Sequence, residues 1–211
     1  TIGKIGSALI NDIELCKYAR SKFDVLIIST GMSTEDEIED CVSECLPDVI
    51  MHTNSTYPTP LKDINLDYID RLIKKYNVPT GYSGHERGII STLCAVAKGA
   101  CIIERHITLD KEMEGPDHAA SLDIDEFKNL INNIRDLEVS LGSNNDRVIT
   151  QGEMINRENL SKSIFSSKNI KIGTKIAKSM IEIKSPGQGM SPQKISSIIG
   201  KKVIKNITKI N

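Results

Sequence analysis

Two hydrophobic periods take turns along the first 142 residues, and that alternation constrains the fold more than any single motif. Short β-branched runs at residues 1–7, 24–30, 48–53, 78–83 and 100–108 are separated by stretches of helical spacing at about residues 12–21, 34–45, 66–76, 88–98 and 125–141. The runs are close to continuously apolar, as in Val25-Leu26-Ile27-Ile28 and Cys101-Ile102-Ile103. That is the pattern of strands buried on both faces of a parallel sheet. Ser33-Thr34-Glu35-Asp36 supplies a capping hydroxyl and early acids at one helix start, and Asp123 and Asp125 do so at another. Repeated strand–helix units imply right-handed crossovers and an α/β architecture.

Five such units do not close a (β/α)8 barrel, which needs eight strands and about 250 residues. The chain starts directly on a strand and without Met. The expectation is therefore the C-terminal part of a TIM barrel over residues 1–142, its front missing, rather than an open doubly wound sheet. Residues 143–158, which include Ser143-Asn144-Asn145-Asp146, read as a polar linker. Residues 159–211 change to short β-type pieces and the turn Pro186-Gly187-Gln188-Gly189. They predict a small β-rich module, itself cut short at Asn211.

A composition of 39% hydrophobic and 26% charged residues is that of a globular chain with a sizeable core. The formal net charge of −1 gives no electrostatic reason for a nucleic acid or anionic membrane partner. No apolar run approaches the roughly 20 residues needed to cross a bilayer, and no basic-then-apolar leader opens the chain, so a cytoplasmic location is expected. The five cysteines contain no CxxC, and Cys41 and Cys45, at helical spacing, read as packing residues.

In parallel α/β folds, functional groups gather at the C-terminal ends of the strands. Ser83-Gly84-His85 and Glu104-Arg105-His106 occupy two such ends. Side chains alternate along a strand, so Glu104 and His106 share one face and Arg105 takes the other, while Ser83 and His85 share a face. Neighbouring strands lie about 4.8 Å apart, which lets His85 and His106 either converge on one divalent ion or stand as separate hydrogen-bonded histidines. Lys4-Ile5-Gly6-Ser7, Ser29-Thr30-Gly31-Met32 and Asn54-Ser55-Thr56-Tyr57-Pro58-Thr59-Pro60 fall at the other ends. Each reads either as a turn or cap, or, taken together, as a phosphate cradle of lysine, hydroxyls and backbone amides. Lys4 within a strand requires an anionic partner. His52 is expected to pack or bond locally; His118, in Gly115-Pro116-Asp117-His118, is open to either role.

Gly81-Tyr82-Ser83-Gly84-His85-Glu86, followed by Glu104-Arg105-His106-Ile107-Thr108-Leu109-Asp110-Lys111, is similar to the signature of the sialic acid synthases of bacterial type. The segments at residues 4–7, 29–32, 57–60 and 115–122 fall in the family's order. The tail resembles the small antifreeze-like (SAF) domain that family carries, through Lys168-Asn169-Ile170-Lys171-Ile172-Gly173 and Lys184-Ser185-Pro186-Gly187. The resemblance implies a transferase that condenses phosphoenolpyruvate with N-acetylmannosamine to N-acetylneuraminate and phosphate. Its alternative acceptors are 2,4-diacetamido-trideoxyhexoses, which give legionaminate or pseudaminate. It implies Mn2+, or Mg2+ or Co2+, held by His85 and His106. Lys4, Ser7 and Ser29 would bind phosphoenolpyruvate; Tyr57, Ser83, Ser55 and Asn54 would face the sugar; Glu104 would be catalytic, with Asp117 and His118 as further candidates. It implies a domain-swapped homodimer at full length, and an inactive fragment here. The sequence departs from the family in two places. Ser55 lies two before the tyrosine where Asn is common, and Ser185 precedes Pro186-Gly187 where bacterial members often carry Arg. A metal-dependent barrel hydrolase and a non-catalytic carbohydrate-binding fragment are the rival readings of the residues.

Overall fold

The computed structural model describes residues 1–210, which divide into two compact units, one over residues 1–143 and the other from residue 144 onward.

The first unit holds five parallel strands in sequence order: β1 (Ile2–Ile5), β2 (Val25–Ser29), β3 (Val49–Thr53), β4 (Thr80–Gly84) and β5 (Ile103–Arg105). Helices α1 (Ile13–Lys22), α2 (Glu35–Cys45), α3 (Asp67–Tyr76) and α4 (Ile90–Ala97) alternate with them, and α5 (Ile124–Leu141) follows β5. Each expected strand and helix is present, with the strands trimmed at their ends. Ser7, His85 and His106 lie just beyond the ends of β1, β4 and β5, and Ser7 opens a short 3-10 turn.

Caps set the helix starts. Thr34 accepts from the Glu37 amide while the Glu37 carboxylate accepts from the Thr34 amide, and Asp123 and Glu126 repeat the arrangement before α5. The outward face of the sheet makes the core with the helices. Ile5, Leu26, Ile28 and Ile50 pack with Cys16 and Ala19 of α1 and with Ile38, Cys41 and Cys45 of α2. Tyr82 packs with Ile69 and Ala95 farther along. Burying these side chains is worth roughly 1.5–3 kcal/mol each.

The inward face is different. Parallel register aligns Ser29 with Met51, and then Thr53, Ser83 and Glu104 in a polar row. The sheet curls about this face. Four spacings of about 4.8 Å would part β1 and β5 by roughly 19 Å if the sheet were flat. Yet Lys4 Nζ of β1 lies 3.1 Å from Glu104 Oε1 of β5. This is part of a (β/α)8 barrel.

In the second unit, α6 spans Gln151–Leu160, capped by Thr150 and Glu153. Within the stretch expected as a linker, residues 143–158, residues 151–158 are helical. β6 (Ser163–Ser166) and β7 (Ile181–Lys184) pair antiparallel. Single bridges join Ile170 to Ile207 and Lys175 to Lys202, consistent with a small β-rich module. Among the described residues no helix is long and apolar enough to cross a membrane.

Candidate active site

The ends of β4 and β5 bring the two histidines together. The rings of His85 and His106 lie 5.2 Å apart between centroids. Tyr57, from the loop after β3, stacks on His85 at 4.2 Å and meets His106 edge-on at 5.7 Å. His85 is 6% exposed, and its Nδ1 lies 2.7 Å from the Asn54 carbonyl oxygen. That carbonyl can only accept, so Nδ1 carries the proton and Nε2 keeps its lone pair. Burial pushes the His85 pKa down against the opposing pull of this hydrogen bond, and the ring is neutral near pH 7. A neutral imidazole that donates one nitrogen to a carbonyl and presents the other is what a metal-ligating histidine requires. Asp117 Oδ2 stands 4.0 Å from His106 Nδ1. The donor set fits a divalent cation whose remaining positions are open to water or substrate.

Glu104 sits beside this pair. Its Oε1 accepts from Ser83 Oγ at 2.9 Å and meets the Lys4 ammonium. The anionic partner that Lys4 needs is therefore a residue four strands away. Burial, then Asp117 and then Glu104, push the Tyr57 pKa up, so the phenol keeps its proton.

A second cluster lies at the ends of β1 to β3. Ser7 Oγ accepts from the Gly31 amide at 3.1 Å. A Cβ on Gly31 would collide with Ser55 Oγ and come within 2.8 Å of both Ser7 Oγ and Thr53 Cγ2. Gly31 thus lets three side chains close on one backbone segment. Ser29 is 2% exposed, and the hydroxyls of Ser29 and Thr53 have no partner among the described residues. Buried hydroxyls without protein partners are able to donate to an anion's oxygens.

Other candidates are used elsewhere. The Asn54 amide donates to Asp63 and accepts from Thr56 within its own loop, so this residue touches His85 through its backbone. His118 Nδ1 pairs with Thr108 Oγ1 at 2.7 Å. His52 bonds the Ile64 carbonyl outside the barrel face. In the second unit, Lys184 meets Glu182 and donates to the Ile210 carbonyl, while Ser185 donates to the Leu160 carbonyl and accepts from Lys162. Among the described residues the one cluster of three close metal-type donors is Cys16, Cys41 and Cys45, away from this face. Burial pushes all three thiols up, and they stay protonated as packing groups. Thr53 was not singled out in the sequence, although its register with Ser83 and Glu104 carries the signal.

Residues 1–146 match the NeuB family, and residues 161–209 the SAF domain. The chain is 36% identical to the N,N'-diacetyllegionaminic acid synthase of Legionella pneumophila, over 97% of this chain and 60% of that protein. It is 34% identical to the pseudaminic acid synthase of Campylobacter jejuni, with the same coverage of 97% and 60%. The N-acetylneuraminic acid (sialic acid) synthetase of Leptospira borgpetersenii, solved with citrate, superposes with a TM-score of 0.67 at 34% identity. That match covers 74% of this chain and 55% of that one. The chain spans about 60% of the length of these curated relatives.

Proposed function

Because the chain belongs to the NeuB family, we propose that it supplies the phosphoenolpyruvate- and metal-binding side of a synthase that condenses phosphoenolpyruvate with an N-acetylated amino sugar. The observation that carries this reading is the convergence of neutral His85 with His106 at 5.2 Å, beside a lysine-and-hydroxyl cradle on the same barrel face.

In this reading Lys4 and the hydroxyls of Ser7 and Ser29 hold the phosphate and carboxylate of phosphoenolpyruvate. His85 and His106 hold a divalent ion, Mn2+ being the first choice, which when bound supplies a Lewis acid for the sugar's open-chain aldehyde. Tyr57 packs against the sugar, and Ser83 fixes the Glu104 carboxylate for its part. Carbon 3 of phosphoenolpyruvate forms the new bond to the aldehyde carbon with its double-bond electron pair, which leaves carbon 2 electron-poor, and the aldehyde oxygen takes a proton from solvent. Water adds at carbon 2, giving its proton to Glu104. The carbon–oxygen bond to phosphate then breaks as the new hydroxyl on carbon 2 passes its proton to the departing phosphate, leaving a 2-keto acid and inorganic phosphate.

The acceptor is N-acetylmannosamine in the leading form of the proposal and a 2,4-diacetamido-trideoxyhexose in the other. Incubating the intact synthase and phosphoenolpyruvate with each acceptor in turn, and measuring phosphate and keto acid together, tests both. Equal amounts of the two products with one acceptor support the reading. Phosphate released at the same rate without any sugar contradicts it.

A further inference from the structure

Behind the histidines, on the outward face, lies a charged network that the proposed chemistry does not use. Arg105 and Glu86 pair at 3.1 Å with side chains 0% and 1% exposed. Arg105 Nη1 also donates to Thr92 Oγ1 and to the Gly88 carbonyl, each at 2.8 Å. Its Nη2 donates to the Glu86 backbone carbonyl at 2.6 Å. Tyr82 donates to Glu86 Oε2 at 2.8 Å, and Thr92 to Oε1 at 3.0 Å. Gly84 leaves room for this, since a Cβ there would stand 2.6 Å from Glu86 Oε2 and 3.1 Å from Arg105 Cδ.

Stability is a poor explanation for such a group. Two charges taken out of water cost several kcal/mol each, and apolar replacements of similar volume are often neutral or stabilising. The network is also imperfect, because Arg105 Nε has no partner among the described residues. Its position in the chain explains more. Glu86 follows His85, and Arg105 precedes His106. β4 and β5 pair with each other only as far as Gly84 and Arg105. Beyond that point the His85 carbonyl accepts from the Thr59 amide and the His106 carbonyl from the Leu122 amide, so each histidine is held by a different segment and no ladder bond joins one to the other. The Arg105 guanidinium grips both the side chain and the carbonyl of the residue after His85. It thereby ties the two strand ends at the residues adjoining the metal-type donors.

We propose that Arg105 and Glu86 are positioning residues, whose buried pairing sets the separation and orientation of His85 and His106 for a divalent ion. This rests on the reading above. Planarity and two-pronged reach make arginine necessary, and lysine would not replace it.

The test titrates Co2+ into the protein and follows both its visible absorption and thermal unfolding. One variant combines Tyr82→Phe, Glu86→Leu, Thr92→Val and Arg105→Met, which replaces the network with apolar groups. A second, Arg105→Lys, keeps the charge and decides the matter if the first fails to fold. The expected result is a folded variant melting close to wild type, with Co2+ affinity weakened about 10–100-fold, the range for lost outer-shell partners, and with an altered spectrum. Unchanged affinity and spectrum in a folded variant would overturn the proposal while leaving the functional reading intact. Wild-type protein that binds no Co2+, or binds it equally after His85→Ala, would overturn the functional reading and this inference together.

Discussion

Replacing Lys4 with Met separates a structural ion pair from a substrate contact. Lys4 and Glu104 meet at 3.1 Å, but their side chains are 34% and 42% exposed. Water screens a pair this open, so its contribution to stability is about 0.2–1 kcal/mol. For a chain of this length that shifts the melting temperature by about 2–4 °C at most. The substrate side has a larger magnitude. Truncating one partner of a desolvated charge pair costs about 2–5 kcal/mol, or roughly 30-fold to several-thousand-fold in affinity at 1.4 kcal/mol per decade. Loss of the ammonium also leaves Glu104 uncompensated beside an incoming phosphate, which pushes the effect in the same direction. In the intact synthase, Lys4→Met should therefore raise the KM for phosphoenolpyruvate at least 30-fold, leave the sugar KM nearly unchanged, and barely move the melting curve. Steady-state kinetics with each substrate varied in turn, and a thermal melt, measure all three. Equal changes in the two KM values, or a melt lowered as much as by a core truncation, would refute the reasoning.

Three further outcomes follow from the packing. Gly81→Ala should destabilise by about 1–3 kcal/mol by overpacking, because the added Cβ meets Met51 Sδ and stands 2.7 Å from the Ile102 carbonyl oxygen; an unchanged denaturation midpoint would contradict the register. A thiol reagent should modify exposed Cys94 and Cys101 in the native protein and reach buried Cys16, Cys41 and Cys45 only after unfolding; five equally fast thiols would contradict the α1–α2 seam. The Tyr68 hydroxyl, with Arg71, holds the Glu35 pKa down, and the Leu26 amide, with Arg20, holds down that of Asp48. Their stabilisation is present above the unfolded-state pKa values near 4 and is lost as pH falls through the lower folded values, so a urea midpoint that stays constant from pH 5 to pH 2 would contradict it.

The strands and helices of the barrel unit were legible because period and capping agree. Val25-Leu26-Ile27-Ile28 forms a strand buried on its outward face, and Thr34 caps the helix it precedes. The histidine pair was legible because alternation along β4 and β5 is local. Helix α6 was not, since Gln151–Leu160 buries no residue and so has no apolar stripe; the Thr150–Glu153 spacing was its one signal. Contacts across the curled sheet were out of reach as well. Nothing in the spacing of Lys4 indicates that its partner is Glu104, and nothing in Cys41-x3-Cys45 points to Cys16. Arg105 was placed on the outward face by parity, yet its partner Glu86 depends on how the chain turns after β4.

Phosphate release from phosphoenolpyruvate in the presence of an N-acetylated amino sugar, measured after chelation and metal re-addition, tests the paired-histidine site most directly. The intact wild-type synthase should lose the reaction on chelation and regain it with Mn2+. His85→Ala and His106→Ala should each lack it at every metal concentration while melting cooperatively. Full-rate condensation by either folded variant, or by exhaustively chelated wild type, would contradict a metal site built from His85 and His106.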